Sequence, residues 1–210
     1  WTYGIPSDQA STGMWAYEVP EGMFDGGYEL APTTQFTPGG FACAVTGYNT
    51  TGQNGTIGQD DVDDGATTLL SPIMDLTSYF NPVITYRRWF ANASPGSANP
   101  GNDPWYVEIS DDGGSSWNTV EFSYVGDNSW RRYAFNVEDF ITLSANVQVK
   151  FQVSDSIILA LGPPGCATTP FCGGSLVEAA LDNLEIWSQI STSIVSVTVT
   201  DVTCPGDCDG

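Results

Sequence analysis

The sequence predicts an all-β fold, an antiparallel β-sandwich of jelly-roll type with little helix. Three observations lead there. Short runs rich in aromatic and β-branched residues recur, separated by clusters of Gly, Pro, Asn, Asp and Ser. Within the clearest runs, apolar and polar residues alternate, as in a strand with one buried and one wet face. No segment sustains apolar residues at i, i+3, i+4 and i+7 over ten residues, so helix is minor.

The elements follow in chain order. Residues 1–66 are rich in Gly, Pro, Ser, Thr and Asp around short apolar pieces such as Met14–Tyr17 and Phe41–Val45. They read as loops around short strands. Strands are predicted at Thr67–Met74 (interrupted at Pro72), Val83–Phe90, Trp105–Ser110, Trp117–Val125, Trp130–Phe135, Val147–Val153 and Leu176–Trp187. Parity supports them. Val147, Val149, Phe151 and Val153 share one face, and Gln148, Lys150 and Gln152 the other. Trp105, Val107 and Ile109 oppose Tyr106, Glu108 and Ser110. Residues 1–190 are predicted to form one sandwich domain. Residues 191–203, STSIVSVTVTDVT, alternate again as an extra strand, an edge suited to strand pairing and self-association. The chain starts at Trp1 without Met, as a processed chain or a piece of a longer polypeptide does.

Composition narrows function. The 210 residues include 25 Asp plus Glu, 5 Lys plus Arg and no His, a formal net charge of -20. Nucleic acid needs clustered cations, so it is excluded as a partner. Anionic membrane surfaces are disfavoured for the same reason. No apolar run approaches the roughly 18 residues of a membrane span. Without His there is no Ser-His-Asp triad, Cys-His pair or His-ligated zinc. A single lysine, Lys150, leaves little room for Schiff-base chemistry. Carboxylate chemistry and oxygen-ligated hard cations remain, chiefly calcium. No Asp or Glu pair stands out as acid and nucleophile for glycoside hydrolysis, so the chain is expected not to be an enzyme.

Three motifs concentrate the acids. Ser110-Asp111-Asp112-Gly113-Gly114-Ser115-Ser116-Trp117 fits S-x-D-x-G-x-[ST]-W, similar to the Asp box of sialidases and other secreted glycan-active proteins. Ser110, Asp112, Gly114 and Trp117 are assigned to a structural turn: Asp112 accepts loop N–H groups, glycine supplies positive φ, and Trp117 anchors the return strand in the core. A calcium or ligand contact is the other role open to it. Asp60-Asp61-Val62-Asp63-Asp64 sets four carboxylates within five residues, either a calcium-binding loop or a solvated one. It is not an EF-hand, because Pro72 occupies the twelfth position counted from Asp61. In the closing strand, Glu178 and Asp182 share parity with Leu184 and Ile186. If that face is inward, they need a cation or an ion pair, for which Arg88 is placed by parity with Ile84, Tyr86 and Phe90. If the inner face is Ala179, Leu181 and Trp187, both acids are wet.

Cys166 with Cys172 and Cys204 with Cys208 have spacings suited to short disulfide loops, with reduced or metal-bound thiols the alternative. Cys43 is expected to be a small buried apolar residue. Exposed Trp and Tyr would offer a stacking platform for sugars, although most aromatics are expected in the core.

The segments TGMWAYEVPEG, FTPGGFACAVTG, DDVDDGATTLLSPIMDL, ITYRRWFAN, DPWYVEISDDGGSSW and SLVEAALDNLEIW occur in that order over residues 12–187. Together they resemble the MAM-like jelly-roll domain appended to secreted bacterial zinc carboxypeptidases and related exported proteins. The resemblance implies a non-catalytic accessory or binding module, calcium-stabilised, with polar positions at Asp61, Asp63, Asp103, Glu178 and Asp182. The chain departs from that pattern around Ile157–Gly174, a hydrophobic insert containing Pro and Cys. The segment IVSVTVTDVTCPGDCDG, residues 194–210, resembles the start of the immunoglobulin-like repeat of gliding-bacteria adhesins (the SprB-type repeat). Residues 191–210 are therefore expected to be a linker strand and the truncated start of a following repeat. Together the resemblances imply secretion, a cell-surface location, and glycan, surface-protein or self-association partners. An accessory role to a peptidase and a strand-paired surface assembly are the alternatives.

Overall fold

The computed structural model describes residues 1–47, 60–156 and 174–188. Its strands are β1 (Thr2–Tyr3), β2 (Ala16–Glu18), β3 (Met23–Asp25), β4 (Tyr28–Ala31), β5 (Cys43–Val45), β6 (Ala66–Leu70), β7 (Val83–Ala91), β8 (Trp105–Ser110), β9 (Asn118–Ser123), β10 (Arg131–Asn136), β11 (Gln148–Ser154) and β12 (Glu178–Trp187). A 3₁₀ turn at Val137–Asp139 is the helical element among the described residues. One sheet has the order β1-β6-β11-β8-β9, the other β10-β7-β12-β5-β2, and β3-β4 forms a separate hairpin. The fold is an all-β, jelly-roll-like sandwich of antiparallel sheets, as the alternation predicts. Residues 191–203 and Cys166, Cys172, Cys204 and Cys208 lie outside the described residues.

The core forms where the inner faces meet. Leu69, Trp105, Val107, Ile109, Val149, Phe151 and Val153 come from the first sheet. Ile84, Tyr86, Phe90, Ala179 and Leu181 come from the second. Each large side chain removed from water contributes about 1.5–3 kcal/mol. Cys43 is buried outside this core, with Val45, Trp89 and Ala180. Burial, with the nearby Asp182 charge second, pushes its thiol up, so it stays protonated.

Arg88 obeys its parity and enters the core, 1% exposed. Its partner is not on the closing strand. It pairs with Glu121 of β9, in the opposite sheet. The guanidinium also donates to the Tyr133 hydroxyl and, at 3.2 Å, to the Val125 carbonyl. Its Cζ lies 4.2 Å from the Tyr133 ring centre. Glu121 accepts from the Tyr86 hydroxyl at 2.7 Å and from Trp105 Nε1 at 3.3 Å. Burial first, and the Glu121 charge next, raise the Tyr86 phenol well above its usual range. The network ties the two sheets at the β9/β10 side.

The closing strand breaks its own parity. A β-bulge separates Asp182 from Glu185, with Asn183 at φ 55°. Before it, Val177, Ala179 and Leu181 pack in the core; after it, Leu184 and Ile186 do. An extra residue on one strand reverses every later side chain. Glu178 and Asp182 therefore do not share the inward face of Leu184 and Ile186. The alternative inner face held only for Ala179 and Leu181, since Trp187 is 55% exposed and Glu178 is fully buried.

Candidate functional site

The Asp-box turn assembles around two side chains. Ser110 Oγ donates to Asp112 Oδ1 at 2.7 Å and accepts from the N–H groups of Asp112 and Gly114 at 3.2 and 2.8 Å. Asp112 accepts from Ser116 N–H at 2.9 Å and Ser116 Oγ at 2.7 Å. Gly114 holds φ 89°, a region open to glycine. Trp117 departs from expectation. It is half-buried beneath Lys150, whose Nζ lies 4.6 Å from the ring centre, so it packs on the sheet's polar side and not in the core. The hydroxyl donors hold the Asp112 carboxyl down at about 2. Its folded value lies below the unfolded 3.8, so its contribution is present above pH 4 and is lost as pH falls through about 2. Asp112→Ala is expected to lower the thermal midpoint at pH 7 and to flatten the stability loss below pH 4. An unchanged melt at both pH values would remove this role from the turn.

The acids implied by resemblance divide into three places. Asp61, Asp63 and Glu178 gather at one end of the sandwich, where the segment before β6 meets the start of β12: the Val62 N–H donates to the Val177 carbonyl at 3.1 Å. Asp155, not singled out in the sequence, joins them. A Cβ on Gly174 would stand 2.2 Å from Asp63 Oδ1 and 2.6 Å from Asp155 Oδ2. One on Gly47 would stand 2.1 Å from Glu178 Oε1. Glu178 is wholly buried; Oε2 accepts from the Thr46 hydroxyl, while Oε1 has no hydrogen-bond partner among the described residues. Burial, then the charges of Asp61, Asp60 and Asp63, raise its carboxyl well above the usual range, against the Thr46 bond. Asp63 is pushed up to about 6 by burial and by the Asp155 and Asp64 charges, against a 3.1 Å bond from Thr12.

Asp103 is buried just before β8. Its Oδ1 accepts from Ser156 N–H and Oγ at 2.9 and 2.6 Å. Asp182 is elsewhere, on the outward face of β12. It accepts from the N–H groups of Phe36, Thr37 and Asn183 at 2.9, 2.8 and 2.8 Å, which pins the loop before β5. Among the described residues, no three acidic or Cys side chains stand close enough to hold a metal ion by themselves. A cation at the acidic end would draw on hydroxyl or backbone oxygens as well.

A cleft not foreseen in the sequence opens at the β1/β2 side of the sandwich. It measures about 510 Å³ and is lined by Trp1, Tyr3, Tyr17, Cys43, Ala44 and residues 181–184. The aromatic residues come from two short edge strands and the residue before β1, so each sheet contributes one wall. Residues 181–184, at the bulge of β12, complete the lining. Only the general expectation of exposed aromatics pointed toward it, because its walls are far apart in sequence.

No known family profile and no curated protein matches the chain. Among solved structures, the chain is similar to TmCBM61, solved in complex with beta-1,4-galactotriose, at 8% identity and a TM-score of 0.36 over 71% of this chain and 72% of that one.

Proposed function

We propose that the chain is a non-catalytic, calcium-stabilised binding module of a secreted or cell-surface multidomain protein, serving adhesion. The cleft carries this proposal. It is preformed, aromatic-walled and within the roughly 300–1,000 Å³ of small-ligand sites. Yet it lacks the parts of a catalyst. Its carboxylate, Asp182, is engaged by three backbone N–H groups. Its thiol is held protonated, and the chain has no His.

Calcium is proposed for the acidic end. Glu178 and Asp61, completed by hydroxyl and backbone oxygens, would hold it, and this oxygen-only chemistry suits a hard cation. A bound ion would offset the charge that burial makes costly at Glu178. It would also tie the segment before β6 to β12.

The test is retention without turnover. The purified protein is mixed with insoluble polysaccharides and with bacterial cell-envelope fractions. Depletion from the supernatant and release of sugar or peptide are then measured. Retention on at least one surface with no product is expected. Product release, or no retention on any surface, would overturn the proposal.

A further inference from the structure

We propose, building on the binding-module function, that the ligand of the cleft is a neutral oligosaccharide held by aromatic stacking and by the Asn183 amide. Four observations converge. First, Trp1, Tyr3 and Tyr17 expose 46%, 37% and 57% of their surface, although such residues gain most from burial. Their rings offer faces against which the weakly positive C–H groups of a pyranose pack. Second, Trp1 Nε1, the Tyr3 and Tyr17 hydroxyls and the Asn183 side-chain amide make no hydrogen bond to other described residues. Among the described residues nothing takes these donors and acceptors, and a ligand rich in hydroxyls would match them.

Third, the bulge of β12 lines the cleft. Asn183 sits there in the left-handed region at φ 55°. Asn tolerates that region better than other non-glycine residues, and bulges re-aim side chains beside sites. Fourth, the charge of the cleft suits an uncharged ligand. No Lys or Arg is among its lining residues, and the Asp182 carboxylate is already engaged. An anionic polymer would meet no Lys or Arg side chain there and a net charge of -20 overall. A hydrophobic peptide would leave the amide and hydroxyls unmatched.

The test titrates ¹⁵N-labelled protein with cellohexaose, xylohexaose, mannohexaose and a galactan hexasaccharide up to about 10 mM, enough to detect millimolar binding. At least one is expected to shift the Trp1 indole and Asn183 side-chain amide signals. Tyr17→Ala and Asn183→Gly should each weaken that binding about tenfold or more, a loss of about 1.4 kcal/mol. Asn183→Gly keeps the positive φ, and an unchanged melting curve shows that it folds. Binding that survives both substitutions would overturn the cleft assignment and leave the binding module standing. So would stronger binding of an anionic oligogalacturonate. No cleft shift with any sugar would also overturn it, and the retention experiment then decides separately whether the module binds anything.

Discussion

Arg88→Ala and Glu121→Ala are each expected to destabilise the fold by about 3–5 kcal/mol, the range for breaking a buried ion pair. The reason is desolvation. Arg88 is 2% exposed at its side chain and Glu121 19%. Removing Glu121 leaves Arg88 charged and out of water, and removing Arg88 leaves Glu121 charged and largely shielded from it. Arg88→Ala also takes away the donors to Tyr133 and to the Val125 carbonyl, and Glu121→Ala takes the acceptor from Tyr86 and Trp105. Domains of this kind hold only about 5–15 kcal/mol in total, so either variant sits close to unfolding. Replacing both residues by apolar ones, as in Arg88→Met with Glu121→Leu, is expected to cost less than the sum of the single changes. Urea unfolding of the four proteins measures this. Single-variant losses below about 1 kcal/mol would show the pair to be effectively solvated.

The acidic end is expected to make stability depend on pH and calcium together. Burial pushes Asp63 up to about 6 in the fold against 3.8 unfolded, and raises Glu178 well above its ordinary 4.5. Both shifts favour the protonated form in the folded state. Chelator-treated protein should therefore lose stability as pH rises from about 4 through 6, because the unfolded chain releases its protons first. Added calcium should oppose the trend as pH rises through about 6, because the Asp63 proton no longer competes with it there. At a calcium level a hundredfold above the dissociation constant the gain is about 2.7 kcal/mol. Glu178→Gln should raise the chelator-treated midpoint at pH 7 and reduce the response to calcium. Thermal melts across pH, with and without chelator, check both. A midpoint at pH 7 that ignores calcium would remove the ion from this end of the molecule.

Much of the strand pattern was legible because parity along one strand is a local property. Trp105–Ser110 appears unchanged as β8, and Val147–Val153 is displaced by one residue in β11. The inward placement of Arg88 was readable in the same way. Its partner was not. Glu121 lies on a strand of the other sheet, and only sheet-on-sheet packing brings the two together. The closing strand misled for a related reason. Parity holds only while the backbone stays regular, and Asn183 interrupts it. The acidic cluster around residues 60–64 announced its repulsion in the sequence. That Glu178 is buried beside it, and that Asp155 joins across Gly174, depends on chain reversals that no local pattern encodes.

The sequence by itself therefore determined the all-β class, most strand positions, the absence of histidine chemistry and the excess of acid, since each is a property of neighbouring residues or of counts. The tertiary structure decided which acids meet, which backbone amides engage Asp182, and where a cleft opens. Those outcomes arise from contacts between residues as far apart as Tyr17 and Asn183. Their geometry is set by the sheet order and by a single bulged residue in β12.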